Sequence, residues 1–260
     1  MSEWTIDSAA EVLLAAERNR QDRGPITEEW PDMDLATGYQ IQDALVEKKL
    51  AAGERRIGVK LGLTSRAKQE RMGITSPLTA VLTDGYILPA DAPIAMEELI
   101  HPRIEPEIVF VMKDDLSGPG TTAASAMAAV GTVHAGFEII DSRYTDFKFT
   151  LPDVVADNAS SAKFIVGGTG LPPEDLDLVL EAVVLSVDGT VVDTATGAAV
   201  MGHPAEALAL AANELGRQGK TIQAGDIVLT GGLTDAVFVE AGAQISAEFT
   251  NLGSIFVTAR

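Results

Sequence analysis

The sequence predicts an α+β protein, with a helical N-terminal part over residues 1–78 and a mixed, mostly antiparallel β core over 79–260. Three observations carry this. Apolar residues recur at helical spacing through 7–51, runs of β-branched residues dominate after about residue 80, and those runs follow one another across turn residues. Strands in succession with a few inserted helices indicate α+β rather than a βαβ series.

The first helix is expected over 7–21 (DSAAEVLLAAERNRQ), with Asp7 or Ser8 as its cap. RGPITEEWPDM is punctuated by proline and reads as a loop or extended crossing. Asp34 is placed to cap a second helix over 35–51, where Ile41, Ala44 and Leu45 form one stripe and Gly53 marks the exit. A short apolar segment, IGVKLGLTS (57–65), carries a single lysine, and a charged helical stretch, SRAKQERMG, follows it to Gly73. Strand runs then include AVLTDGYIL, IEPEIVFVM, GFEII, AVVLSVDG with TVVDT, DIVLTGG, QISAEFT and SIFVTAR. Asp188-Gly189 lies between two of these runs and Asn251-Leu252-Gly253 between the last two, so both positions read as hairpin turns. Helices are expected at 121–130 and at 204–218, the second opened by Pro204 and closed by Gly219.

Composition narrows the chemistry. A chain of 260 residues buries a substantial core without covalent staples. It has no cysteine, which removes disulfides, thiolate zinc sites and cysteine nucleophiles. His101, His134 and His203 are its only histidines and lack an H-E-x-x-H spacing, so a metal is expected on oxygen ligands, which suit magnesium or manganese. The net charge of −19 argues against nucleic acid or an anionic membrane as partner. No run of 18 apolar residues and no signal-peptide pattern is seen, and a cytoplasmic location is expected. An anionic substrate then needs a locally positive site.

Glu105 and Glu107 stand two apart in a strand run, so they share one face while Ile104, Ile108 and Phe110 share the other. Two adjacent carboxylates repel unless a cation lies between them or one is protonated; an ordinary solvated strand face is the alternative. Pro106 between them suggests an edge or a bulge, and hence a site at an open margin of the sheet. Glu138 interrupts an apolar strand, either as an edge residue reaching water or as a buried acid with a partner. Asp141 and Arg143 follow and offer a structural ion pair. Lys60, between Val59 and Leu61, is either a snorkelling lysine or a desolvated one near a cation. Asp157-Asn158-Ala159-Ser160-Ser161 has the composition of a turn or cap. Neither serine sits in a G-x-S-x-G elbow, and the glycine-rich GGTG (167–170) and TGG (230–232) read as tight turns or close backbone approaches rather than nucleotide loops.

Taken together, VKLGLTSRAKQERMGI (59–74), LIHPRIEPEIVFV (99–111), EIIDSRYTDFKFTLPDVVADNASS (138–161), GHP (202–204), GDIVLTGG (225–232) and LGS (252–254) resemble the fumarylacetoacetate hydrolase superfamily. Within it they are similar to the branch of 2-oxopent-4-enoate hydratases and 4-oxalocrotonate decarboxylases, and SRYTDFKFTLPDVVADN looks more like the decarboxylases. The resemblance implies a fumarylacetoacetate hydrolase-like core and magnesium or manganese on Glu105, Glu107 and Glu138. It also implies an active-site Lys60, a substrate-contacting hydroxyl at Ser161, and matched positions at Thr64, Arg143 and Asn158. The implied reaction is decarboxylation of (3E)-2-oxohex-3-enedioate to 2-hydroxypenta-2,4-dienoate in catechol meta-cleavage, through a metal-stabilised dienolate. Hydration of 2-hydroxypenta-2,4-dienoate is the alternative within the branch, and a non-catalytic acidic metal-binding protein the alternative of another class. Lys60, with Arg143, Lys148 or Lys163, would supply the positive pocket. A homo-oligomer and a complex with the pathway hydratase are further implications.

Overall fold

A computed structural model describes residues 4–66, 69–70, 73–89 and 91–260. Helix α1 (Ile6–Asn19) is capped by Thr5 in a reciprocal box with Ser8, before the expected Asp7 or Ser8, because Thr5 has the extended backbone a cap needs. The Pro-punctuated segment contains one turn of helix, α2 (Ile26–Glu29), and α3 (Leu35–Ala51) starts at Asp34, whose carboxylate accepts from the Thr37 N–H. These helices enclose a small core of their own around Leu13, Ile26, Ile41, Leu45 and Tyr144. Residues 67, 68, 71 and 72 of the expected charged helix SRAKQERMG lie outside the described residues.

Two sheets follow. The larger runs β2 (Leu78–Thr83), β1 (Arg56–Gly62), β8 (Ile227–Gly232), β3 (Arg103–Met112), β4 (Val130–Ile140), β5 (Ser161–Leu171), with β9 (Val237–Phe238) on β3. Its one parallel pair among the described residues is β1 with β8. The smaller runs β11 (Ser254–Thr258), β10 (Gln244–Phe249), β6 (Ala182–Val187), β7 (Thr190–Thr196), antiparallel throughout. Asp188 and Gly189, both at positive φ, join β6 to β7, and Gly253 at φ 80° closes the β10–β11 turn. Ile104, Ile108, Phe110, Phe137 and Ile139 leave one face of the large sheet and pack with Val183, Leu185 and Ile245 of the small one. Helices α4 (Ala123–Ala128) and α6 (Pro204–Arg217) pack on each other, and α5 (Leu151–Ala156) packs on α3.

Three expectations change. The division at 78/79 falls inside the large sheet, since β1, which carries Lys60, pairs with both β2 and β8. GGTG (167–170) lies within β5 rather than in a turn, and Gly170 is required where the His134 ring packs: a Cβ there would sit 2.6 Å from it. Pro106 marks no margin. β3 is flanked by β8 and β4, and the proline sits in the gap between the β9-paired Arg103 and Ile104 and the β3–β8 ladder that begins at Glu107. A proline without an N–H is accommodated where the ladder is already broken.

Candidate active site

The face of β3 opposite the core carries Glu105 and Glu107, and the register places Glu138 of β4 directly across from Glu105. One oxygen from each of the three carboxylates lies within 4.8 Å of the others. Glu107 is fully buried; its Oε2 accepts from the Gly231 N–H at 2.8 Å, while Oε1 has no hydrogen-bond partner. Burial, then the Glu138 and Glu105 carboxylates, push the Glu107 carboxyl well above the ordinary range; the Gly231 N–H and Lys60 pull it back only in part. Lys60, also buried, donates from Nζ to Glu138 Oε1 at 2.8 Å, so it is a paired interior cation rather than a snorkelling one.

Gly231 and Gly232 close the cradle from β8. Gly231 has φ 109°, and a Cβ there would lie 1.9 Å from Thr64 Oγ1; a Cβ on Gly232 would lie 2.1 Å from Glu105 Oε2. Their side-chain-free backbone is what lets β8 approach both glutamates. An orphaned acceptor, a cradle that excludes a Cβ and three converging carboxylates make an oxygen-ligand site that suits magnesium or manganese.

Beside this cluster opens a cavity of about 440 Å³. Lys60, Thr64, Glu105 and Glu138 line it, and so do Arg103 and Ser160. Leu61, Leu78, Ile140, Phe149 and Val154 supply apolar wall.

The other expected site residues are placed behind that wall. Arg143 is buried, hydrogen-bonded to the Asp157 carboxylate and carbonyl and donating from Nη1 to the carbonyls of Asp141 (2.6 Å) and Ser161 (3.0 Å). Burial opposes the Arg143 cation, yet Asp157, with Glu17 and Tyr86, together more than offset this and hold it above its usual range. Burial raises the Asp157 carboxyl to about 6, against the pull of Arg143, so the pair is ionic at neutral pH. The expected partner Asp141 accepts instead from the N–H groups of Ile100 and His101. Asn158 brackets Val81, accepting from its N–H at 3.0 Å and donating to its carbonyl at 2.9 Å. Ser161 donates to the Asn158 carbonyl at 2.7 Å. Arg143, Asn158 and Ser161 thus hold a turn in which Asn158, Ala159 and Ser160 are all left-handed (φ 47°, 50° and 59°). Such a run persists only where its surroundings over-determine it, and here it presents Ala159 and Ser160 to the cavity. With four of its five guanidinium N–H donors engaged by Asp157, Asp141 and Ser161, the buried Arg143 does not line the cavity and does not supply the positive wall. Lys148 is exposed beside Asp146, and Lys163 reaches the Gly85 carbonyl. The cation that sequence reasoning passed over is Arg103, and the signal for it was alternation: 103, 105 and 107 share a face.

Residues 58–259 match the model of the fumarylacetoacetate hydrolase C-terminal family. The chain belongs to that family. It is 43% identical over 246 residues to a 4-oxalocrotonate decarboxylase of Pseudomonas sp. (strain CF600), covering 95% of this chain and 93% of that protein. It is 37% identical to a 2-hydroxyhexa-2,4-dienoate hydratase of Comamonas testosteroni, covering 96% and 95%. Among solved structures, 4-oxalocrotonate decarboxylase from Pseudomonas putida G7 complexed with magnesium and adipate superposes with a TM-score of 0.96 at 40% identity, over 99% of each chain. The α+β fold and the helical N-terminal part are those of this family member.

Proposed function

We propose that this chain catalyses metal-dependent decarboxylation of (3E)-2-oxohex-3-enedioate to 2-hydroxypenta-2,4-dienoate and carbon dioxide. The observation that carries the reading is one cavity lined by Glu105, Glu138 and a buried lysine, with the Glu107 carboxylate converging on the two glutamates, in a chain over 40% identical along nearly its whole length to a 4-oxalocrotonate decarboxylase. Glu105, Glu107 and Glu138 would hold magnesium, or manganese in its place. When bound, the ion supplies Lewis-acid stabilisation of negative charge developing on the 2-oxo oxygen.

The electron flow is conjugate. The bond from C5 to the distal carboxylate breaks and releases carbon dioxide; its electron pair forms C4=C5, the former C3=C4 pair forms C2=C3, and the oxo oxygen takes the charge. One proton on that oxygen gives the dienol. Lys60, 2.8 Å from Glu138, places a positive charge at this end of the cavity and is the group positioned to hold or deliver that proton. Leu61, Leu78 and Val154 exclude water from the reacting chain, which strengthens these charge contacts. The turn at 158–160 sets the opposite wall, with Arg143, Asn158 and Ser161 positioning it from behind.

The deciding experiment is a paired assay with purified protein and magnesium: carbon dioxide release from 2-oxohex-3-enedioate, against hydration of 2-hydroxypenta-2,4-dienoate. Release of carbon dioxide, lost on chelation, is expected; hydration alone would transfer the site to hydratase chemistry. A cytoplasmic homo-oligomer that associates with the pathway hydratase completes the proposal. It is supported by the family resemblance and is tested by light scattering of the chain alone and with a co-expressed hydratase.

A further inference from the structure

Arg103 has no task in the reading above. It lies two residues before Glu105 on β3, so its side chain leaves the same face as the glutamates. Its guanidinium carbon is 4.2 Å from the ring centroids of both Phe147 and Phe238, and its buried Nε has no hydrogen-bond partner. Phe238 is 61% exposed, a ring kept at the surface over the cation rather than in the core. Pairing of Arg103 with Phe238 across β3–β9 and with Ile140 across β3–β4 fixes the backbone under this stack. A planar cation stacked against aromatic rings still offers its edge to a planar anion. Among the described residues lining the cavity, the cations are Lys60 and Arg103, and Lys60 is engaged by Glu138.

Spacing adds to this. Two residues along a strand span about 6.6 Å, and the five carbon–carbon bonds of an extended six-carbon chain span roughly 6 Å. A 2-oxo dicarboxylate held by its oxo-acid end near Glu105 therefore has the length to reach Arg103, and Ile140 and Phe149 line the same cavity.

We infer that Arg103, held against the Phe147 and Phe238 rings, binds the distal carboxylate and selects dicarboxylates over monocarboxylic 2-oxo acids. This rests on the decarboxylase reading and names the residue that sets its substrate class. The kinetic consequence is specific. The distal carboxylate leaves as neutral carbon dioxide, so its pairing with Arg103 is strongest in the ground state and fades as charge moves to the oxo end. An interaction of that kind lowers KM without raising kcat.

The test compares wild type and Arg103→Gln, both with magnesium, in carbon dioxide release and in calorimetric binding of 2-oxohexanedioate and 2-oxohexanoate. The second probe has a methyl where the first has its distal carboxylate. Wild type is expected to prefer the dicarboxylate by about 10-fold or more, as a charge-assisted pair allows. In Arg103→Gln the preference should collapse, KM should rise roughly 10–100-fold, kcat should not fall, and 2-oxohexanoate binding should be unchanged. Arg103→Lys should recover only part of the preference, since an ammonium keeps the charge but not the stacked plane. Retained preference in Arg103→Gln, with carbon dioxide release by wild type intact, overturns the role of Arg103 and leaves the decarboxylase reading standing. Equal loss of both probes in Arg103→Gln and Arg103→Lys makes the residue structural and also overturns it. Absence of carbon dioxide release by wild type overturns both.

Discussion

Glu107→Gln should make the metal-free protein more stable and the magnesium-loaded protein less responsive. Glu107 is fully buried, one oxygen is unpartnered, and two further carboxylates bring oxygens within 4.8 Å. At that separation a like-charge pair costs about 3.5 kcal/mol with an effective dielectric of about 20. Burial and these two neighbouring carboxylates push the Glu107 carboxyl well above its ordinary range, the direction such repulsion demands. A neutral amide of the same shape should therefore gain about 1–3 kcal/mol without metal, a rise in Tm of roughly 2–10 °C for a chain of this size. The pH dependence has a definite sign. The folded carboxyl is raised above its ordinary 4.5, so its contribution to stability is present below about pH 4.5 and lost as pH rises through the folded value. Glu107→Gln should lack that decline. Magnesium at 100 times its Kd should stabilise wild type by about 2.7 kcal/mol, and Glu107→Gln much less. Thermal melts of both proteins, in chelator and in a magnesium series across pH 5–8, read all of this. A lower Tm for Glu107→Gln in chelator, or equal magnesium shifts in the two proteins, would refute the assignment of Glu107 as a buried, metal-ready anion.

Lys60→Ala should abolish turnover by a factor of about 100 or more while the fold is retained; an unchanged rate in the carbon dioxide assay would return Lys60 to a purely structural role. Because it leaves Glu138 without its partner, the variant's Tm should drop in chelator and partly recover with magnesium. Arg143→Lys, which cannot reproduce four fixed contacts to Asp157, Asp141 and Ser161, should lose about 3 kcal/mol of stability by urea denaturation; a loss under 1 kcal/mol would remove it as the anchor of the 158–160 turn. His203 caps α6 through Nδ1, which accepts from the Ala205 N–H at 2.9 Å, and burial lowers its pKa below the usual 6.5. The cap is therefore in place above about pH 6.5 and is lost as pH falls through the lower folded value, at a cost of about 1 kcal/mol; a His203→Ala melt with the same pH profile as wild type would exclude the effect.

Much of this protein is local, and so legible in its sequence. Asp34, Pro204 and Asp188-Gly189 act through neighbours within a few residues, and each sits where capping and turn chemistry put it. Strand alternation placed Glu105 and Glu107 on one face, opposite Ile104 and Ile108, because a strand's period is a property of the backbone alone. Glycine as a place of close approach was also readable at TGG (230–232), though not what it approaches.

What the chain order does not contain is register and partner choice. Glu138 became the third carboxylate because β3 and β4 pair with it opposite Glu105, and Lys60 its counter-ion because β1 joins the same sheet parallel to β8. Arg143 joined Asp157 rather than the cavity, since a buried guanidinium settles where the folded chain satisfies its donors. Arg103 acquired its aromatic clamp only when β9 and the 145–147 turn met over it. The sequence by itself determined which faces and turns exist and that oxygen ligands were available. Only the tertiary structure decided which of those groups meet, because long-range contacts are set by packing the whole chain at once, not by spacing along it.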